Sequence, residues 1–220
     1  RRGRGFGWIQ EVLEGPIHLI RCNILPKNSK EATWIIRDLE DNLYLSEEFG
    51  YQLIGPEFDK YWFTKGGFSM QPFLLCNPQV YAMRDEPKHF LRAVFNAFAV
   101  NYRPDTKSFT EHPLPTFYDF WGHFFKTSDE ANAATCFRMM FVMEKLTEEP
   151  EDQFARSEDS ISEMKKMNTL EIGAFIPRQW YEYDSPIEAH HISTYFGLFE
   201  FRHSVNKAQT RLEFEYLISW

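Results

Sequence analysis

Apolar residues along this chain first recur at helical intervals and then, past an acidic stretch, at every second position. Trp8, Ile9, Val12, Leu13, Ile17 and Ile20 have helical spacing, with Gly15-Pro16 as a break or kink. Ser29 is placed to cap a second helix from about Lys30 to Ser46, with Trp34, Ile35 and Leu39 turned inward. A short helix is expected from about Phe73 to Met83. Asp85 would cap the next, with Pro87 in its first turn and an apolar stripe of Phe90, Leu91, Val94, Phe95, Phe98 and Tyr102. Thr127 and Glu130 have capping-box spacing, ahead of a helix running through Cys136, Phe137, Met140, Phe141 and Met143.

Two irregular stretches separate these helices. Gly50 to Gln71 is rich in glycine and aromatic residues, and Arg103 to Pro115 is a Pro-rich loop carrying Glu111 and His112. Long ordered loops of this kind usually carry function. Between Leu146 and Asn168 acids dominate (Glu148, Glu149, Glu151, Asp152, Glu158, Asp159 and Glu163), as expected of a solvated linker or insertion. Beyond it Leu170, Ile172 and Ala174 alternate, as do Phe199 with Phe201 and Leu212, Phe214 and Tyr216, with Val205 to Gln209 as a turn. The pattern predicts a helical domain over 1–146, an acidic linker over 147–168 and an antiparallel β unit over 169–220.

Composition narrows the function classes. The 220 residues are 43% hydrophobic and 25% charged, which suits a globular protein, while 17% are aromatic. A formal net charge of −8 argues against coating a phosphate backbone, which needs clustered Lys and Arg, so nucleic acid is not expected as a partner. No stretch approaches the roughly 20 apolar residues that span a bilayer, and no membrane partner is expected. Cys22, Cys76 and Cys136 are odd in number and outside any CxxC pattern, so neither a disulfide framework nor a zinc site is expected. His190-His191 lacks a third ligand at suitable spacing; no metal and no cofactor are expected. RRGRGFGW has basic residues without the apolar run of a signal peptide; the compartment stays open, with the cytoplasm slightly favoured. That start reads as the inside of a larger protein.

Three clusters carry candidate chemistry. Glu111, on a loop beside aromatics, can activate a water if an apolar wall moves its pKa towards working pH; a solvated loop glutamate is the plainer alternative. Lys126, Asp129 and Glu130 lie at a helix start, where acids complement the helix dipole or, alternatively, bond sugar hydroxyls. Glu40, Asp41, Glu47 and Glu48 form the third cluster, which a solvent-facing helix end explains equally well. Tyr61-Trp62-Phe63, Gly66-Gly67-Phe68 and Trp121 offer stacking platforms for sugar rings, or core that lies in irregular segments.

In order along the chain, three segments resemble a known family. Ser108 to His112 is similar to a late loop ending in Thr-rich sequence and a Glu. Lys126 to Ala134 resembles the helix start that follows it. Ile176-Pro177-Arg178-Gln179-Trp180, then Ile192-Ser193-Thr194-Tyr195-Phe196-Gly197, resembles the closing β-sandwich with its Thr-x-x-Gly strand entry. The family is that of the bacterial six-hairpin, (α/α)6-toroid glycosidases, nearest in layout to the inverting α-L-rhamnosidases. The resemblance implies a mainly α fold, part of a toroid of helical hairpins followed by a small antiparallel β-sandwich-like unit. It further implies a glycoside hydrolase, or a fragment of one, acting on a carbohydrate by inversion with Glu111 as the base. Glu47 or Glu48 is the fallback acid, Trp62, Gln71 and Trp121 shape the sugar subsite, and His112, Lys126, Asp129 and Glu130 contact substrate. His112-Pro113-Leu114-Pro115 and Asp129-Glu130 depart from the rhamnosidase pattern, which leaves the sugar open. Twelve helices of ~12 residues with ~5-residue connections need about 200 residues before any long loop. Half that number of helices is expected here, so a missing N-terminal half or a homo-oligomer completing the ring is implied. The competing expectation is a non-catalytic half-toroid that binds carbohydrate or a partner chain.

Overall fold

The computed structural model describes residues 15–43, 78–109, 112–114, 119–121, 127–146, 167–183, 185–206 and 211–219. It divides into two compact units, Arg1–Cys136 and Phe137–Trp220.

The first unit is built on short helices whose ends are fixed by local chemistry. Residues 15–21 are helical and form the described part of α1. It ends in a Schellman turn: Ile24 N–H donates to Leu19 O (2.8 Å) and Asn23 N–H to Ile20 O (3.0 Å), with Asn23 at φ 54 in the left-handed region. Helix α2 spans Lys30–Leu43, and Ser29 caps it by accepting from Ala32 N–H at 3.1 Å. Its buried positions are Ala32 and Ile36, one turn apart. Trp34, expected inward, is 54% exposed, with the Lys30 ammonium 4.7 Å from its ring centroid.

Helix α3 is a single buried turn and a half, Pro78–Met83, and closes in a second Schellman turn through Asp85 (φ 59). Asp85 therefore ends α3, and Glu86, without a side-chain cap bond, is the N-cap of α4 (Pro87–Asn101). On α4 the buried face is Phe90, Ala93, Val94, Ala97 and Asn101, a run at i, i+3, i+4, i+7 and i+11. Arg84 ties the α3 end to the start of α2, donating to Lys27 O in the turn before that helix and to Thr33 Oγ1 within it, and pairs with Glu86 at 3.0 Å.

The segment after α4, read from sequence as a loop, holds two small ribbons. Strand β1 (Tyr102–Arg103) pairs with β2 (Ser108–Phe109), and β3 (His112–Leu114) pairs with β4 (Asp119–Trp121), both antiparallel. Phe98, Tyr102 and Phe109 cluster at the first ribbon, the Phe98 and Tyr102 rings stacked at 4.6 Å. Helix α5 follows, Thr127–Phe141.

In the second unit β5 (Val142–Leu146) pairs with β6 (Met167–Ile172). Gly173, at φ 67, then turns the chain while its N–H donates to Phe141 O at 2.8 Å, a conformation that favours glycine. A 3-10 turn at Arg178–Glu182 leads to a three-stranded antiparallel sheet in the order β7 (Ile187–Thr194), β8 (Gly197–Asn206), β9 (Arg211–Ser219). Alternation sorts its faces: Phe199, Phe201 and His203 are buried, while Leu198, Arg202 and Ser204 are exposed. Phe201 meets Phe141 edge-on at 5.7 Å, and His203 meets Tyr181 at 4.6 Å.

The expected mainly α toroid is thus overturned. Among the described residues the fold is mixed, five helices with nine strands in four small antiparallel sheets. The cause is local. The stretches after α4 and after α5 pair as short antiparallel strands, and Val142 and Met143, read as the end of a helix, begin β5 opposite Ile172 and Glu171.

Candidate functional site

Six of the residues singled out by sequence, Glu47, Glu48, Trp62, Gln71, Glu111 and Lys126, lie outside the described residues. Of the remaining four, two are brought together. His112 opens β3 and Trp121 closes β4, and they are register partners, directly opposite across the ribbon; Pro113 faces Phe120 and Leu114 faces Asp119. Register partners in an antiparallel pair have Cβ atoms about 4.5–5.5 Å apart. Glu111 immediately precedes His112 in sequence and itself lies outside the described residues.

Asp129 and Glu130 occupy the first turn of α5. Glu130 is half-buried, whereas Asp129 is fully enclosed. The inward stripe of the helix reads Asp129, Asn132, Ala133, Cys136 and Met140, so its first turn and a half is polar. Around Asn132 the polar groups interlock. Arg21 Nη2 on α1 (3.1 Å) and Gln79 Nε2 on α3 (3.3 Å) both donate to Asn132 Oδ1, and Asn132 Nδ2 donates to Ser128 O at 2.8 Å. With both lone pairs of the carboxamide oxygen engaged, this cluster fixes three helices at one point. One turn on, burial pushes the Cys136 thiol up to about 12, only partly countered by the Arg21 charge and a Gln79 hydrogen bond. A thiol so protonated is no nucleophile. Arg21, Gln79 and Asn132 escaped sequence reading because they are far apart along the chain. The one local signal was Asn132, three residues after Asp129 on the same helical face.

The second unit carries two further polar clusters. Arg138, near the end of α5, pairs with Glu144 on β5 and donates to Ser193 O at 2.8 Å, while Glu144 Oε1 also accepts from Tyr195 N–H at 3.3 Å. On the exposed face of the sheet, β7 bulges between Ala189 and Ile192, leaving His190 and His191 opposite Glu200, with His191 at φ 57. Glu188 binds Arg202 Nε at 3.1 Å and lies 3.4 Å from His190 Nε2; His191 Nε2 lies 3.9 Å from Glu200. Among the described residues, no three His, Cys, Asp or Glu side chains converge as a metal site, and no helix is long and apolar enough to cross a membrane.

The Thr-x-x-Gly segment is a hairpin turn. Thr194 pairs with Gly197, the Thr194 hydroxyl donates to Gly197 O at 2.7 Å, and it accepts from Phe196 N–H at 3.1 Å. Tyr195 and Phe196 keep negative φ, so Gly197, at φ 118, completes the reversal. Comparison with protein-family models, with curated proteins and with solved structures returns no match.

Proposed function

We propose that this chain is part of a carbohydrate-active enzyme that hydrolyses a glycosidic bond with inversion, Glu111 acting as the base. The observation that carries the reading is the register of His112 against Trp121, which sets the residue next to Glu111 across from an indole. Sugar rings present apolar C–H faces that aromatic side chains bind, and a carboxylate beside such a wall is raised in pKa towards a base useful near neutrality.

In this mechanism the Glu111 carboxylate takes a proton from a water as the water oxygen bonds to the anomeric carbon. The bond to the leaving oxygen breaks on the opposite face, and a second carboxylic acid, assigned to Glu47 or Glu48, protonates that oxygen. Room for the water requires carboxyls about 6.5–9.5 Å apart. Trp62, Trp121 and Gln71 shape the subsite, and His112, Lys126 and Glu130 bind hydroxyls.

The test is turnover of a panel of 4-nitrophenyl glycosides, with the product anomer read by proton NMR. Glu111→Gln is expected to lower kcat by about 10²–10⁴-fold, with unchanged circular dichroism, as for loss of a general base. An unchanged rate removes Glu111 from the mechanism. Sugar binding without turnover, equal in wild type and Glu111→Gln by calorimetry, replaces the enzyme reading with a binding module.

A further inference from the structure

Successive residues of a strand alternate between faces, and residues directly opposite in an antiparallel pair share a face. This sorts the β3–β4 ribbon. His112, Leu114, Asp119 and Trp121 fall on one face, and Pro113 and Phe120 fall on the other. The second face is apolar at both positions. Both titratable residues of the ribbon, His112 and Asp119, belong to the face that carries Trp121. Asp119 stands in an aromatic stretch with no other acid beside it, so no acidic cluster draws attention to it in the sequence.

The register sets the spacing on this face. Asp119 is two residues along β4 from Trp121, roughly 6–7 Å. It lies diagonally across the ribbon from His112, at about 7–8 Å. A carboxylate position thus neighbours an indole position on one short, paired segment. Those two groups answer the two sides of a sugar. The indole covers the apolar C–H face of the ring, and the hydroxyls around the rim are donors in search of acceptors. An ionised carboxylate only accepts, and its two oxygens can each take one of two neighbouring hydroxyls. Such charge-assisted bonds are about twice as strong as neutral ones. Neutral imidazole, with one acceptor nitrogen, cannot hold two hydroxyls in this way.

We infer that Asp119 binds the substrate directly, its carboxylate accepting from two adjacent hydroxyls of the sugar that stacks on Trp121. The substrate class narrows to glycosides with a free vicinal diol beside the stacked face. The inference rests on the carbohydrate reading above, but on neither Glu111 as the base nor hydrolysis, because a diol site serves a binding module equally well.

Steady-state kinetics on the full chain test it, with the best 4-nitrophenyl glycoside of the panel and its monodeoxy derivatives; calorimetric Kd replaces KM where a sugar binds without turnover. Asp119→Ala is expected to raise KM or Kd by about ten- to a hundredfold, as for loss of hydrogen bonds to a charged group, with kcat within about twofold. Asp119→Asn, equal in size and uncharged, shows a smaller rise. The wild type handles the monodeoxy derivative that lacks a held hydroxyl at least about tenfold less well than its parent, and Asp119→Ala treats the two alike. A residue that merely supports the ribbon weakens parent and derivative together and leaves their ratio intact. That result, or an unchanged KM in Asp119→Ala, overturns the inference while the carbohydrate reading stands. A wild type that neither binds nor cleaves any glycoside overturns both. Full activity in Glu111→Gln, with discrimination lost in Asp119→Ala, removes the base and upholds the role of Asp119.

Discussion

Cys136 and Cys22 are chemically alike in sequence and opposite in the fold. Cys22 is exposed at the end of α1, while Cys136 is buried with its thiol pushed up to about 12. Alkylation of the native chain at neutral pH, followed by peptide mass mapping, is expected to label Cys22 readily and Cys136 only under unfolding conditions, because the thiolate is the reactive species. The burial of Cys136 is legible in the apolar residues around it, Phe137, Met140 and Phe141. The polar neighbours that hold the helix around it were not. Arg21, Gln79 and Asn132 meet through the fold, and no spacing along the chain announces a bond between residues 21 and 132. Trp34 shows the converse. Its size and helical position suggest burial, yet small Ala32 and Ile36 fill the inward face and the indole stands outside, against Lys30.

Elements whose ends are set by adjacent residues were the most readable. Ser29 ahead of Lys30 is a cap by residue type, and the bond to Ala32 N–H bears that out. Ser29→Ala is expected to destabilise the first unit by about 1 kcal/mol through loss of this bond, read as a lower urea midpoint at unchanged m-value. The alternating runs at Phe199-Phe201 and Leu212-Phe214-Tyr216 lie on β8 and β9 for an equally local reason, a period of two, which on β8 buries Phe199 and Phe201. Ribbons β1–β2 and β3–β4 are different. Strands of two or three residues are too short to show a period, and their pairing was read as loop. The β5 segment, Val-Met-Glu-Lys-Leu, fits a helix end as well as a strand, and only its pairing with Met167–Ile172 decides. Since the candidate base adjoins β3, the candidate site lay where local pattern says least. Its residue types could be picked from sequence, but the opposition of His112 and Trp121 could not.

At the scale of the molecule, the acidic net charge and the aromatic content described a globular chain well and its architecture poorly, because both are compatible with all-helical and mixed folds. Titration of one buried group reaches this scale. His203 lies inside the second unit against Tyr181, and burial lowers its pKa from the ordinary 6.5. A lowered folded value means the unfolded chain binds the proton first. The contribution of neutral His203 to stability is complete above about pH 6.5 and is lost as the pH falls through the folded value. Urea unfolding is therefore expected to show a stability that drops on acidification below about pH 6.5, with a shallower drop in His203→Leu. The seam between the two units, after Cys136, runs through the middle of α5, which continues unbroken from Thr127 to Phe141. Neither half can therefore be inherited, excised or recombined as a free-standing module by cutting at that seam. A cut there strips the first half of the residues that finish its last helix and leaves the second beginning on an unwound stub, so a genetic exchange that keeps both halves foldable has to carry 127–141 whole.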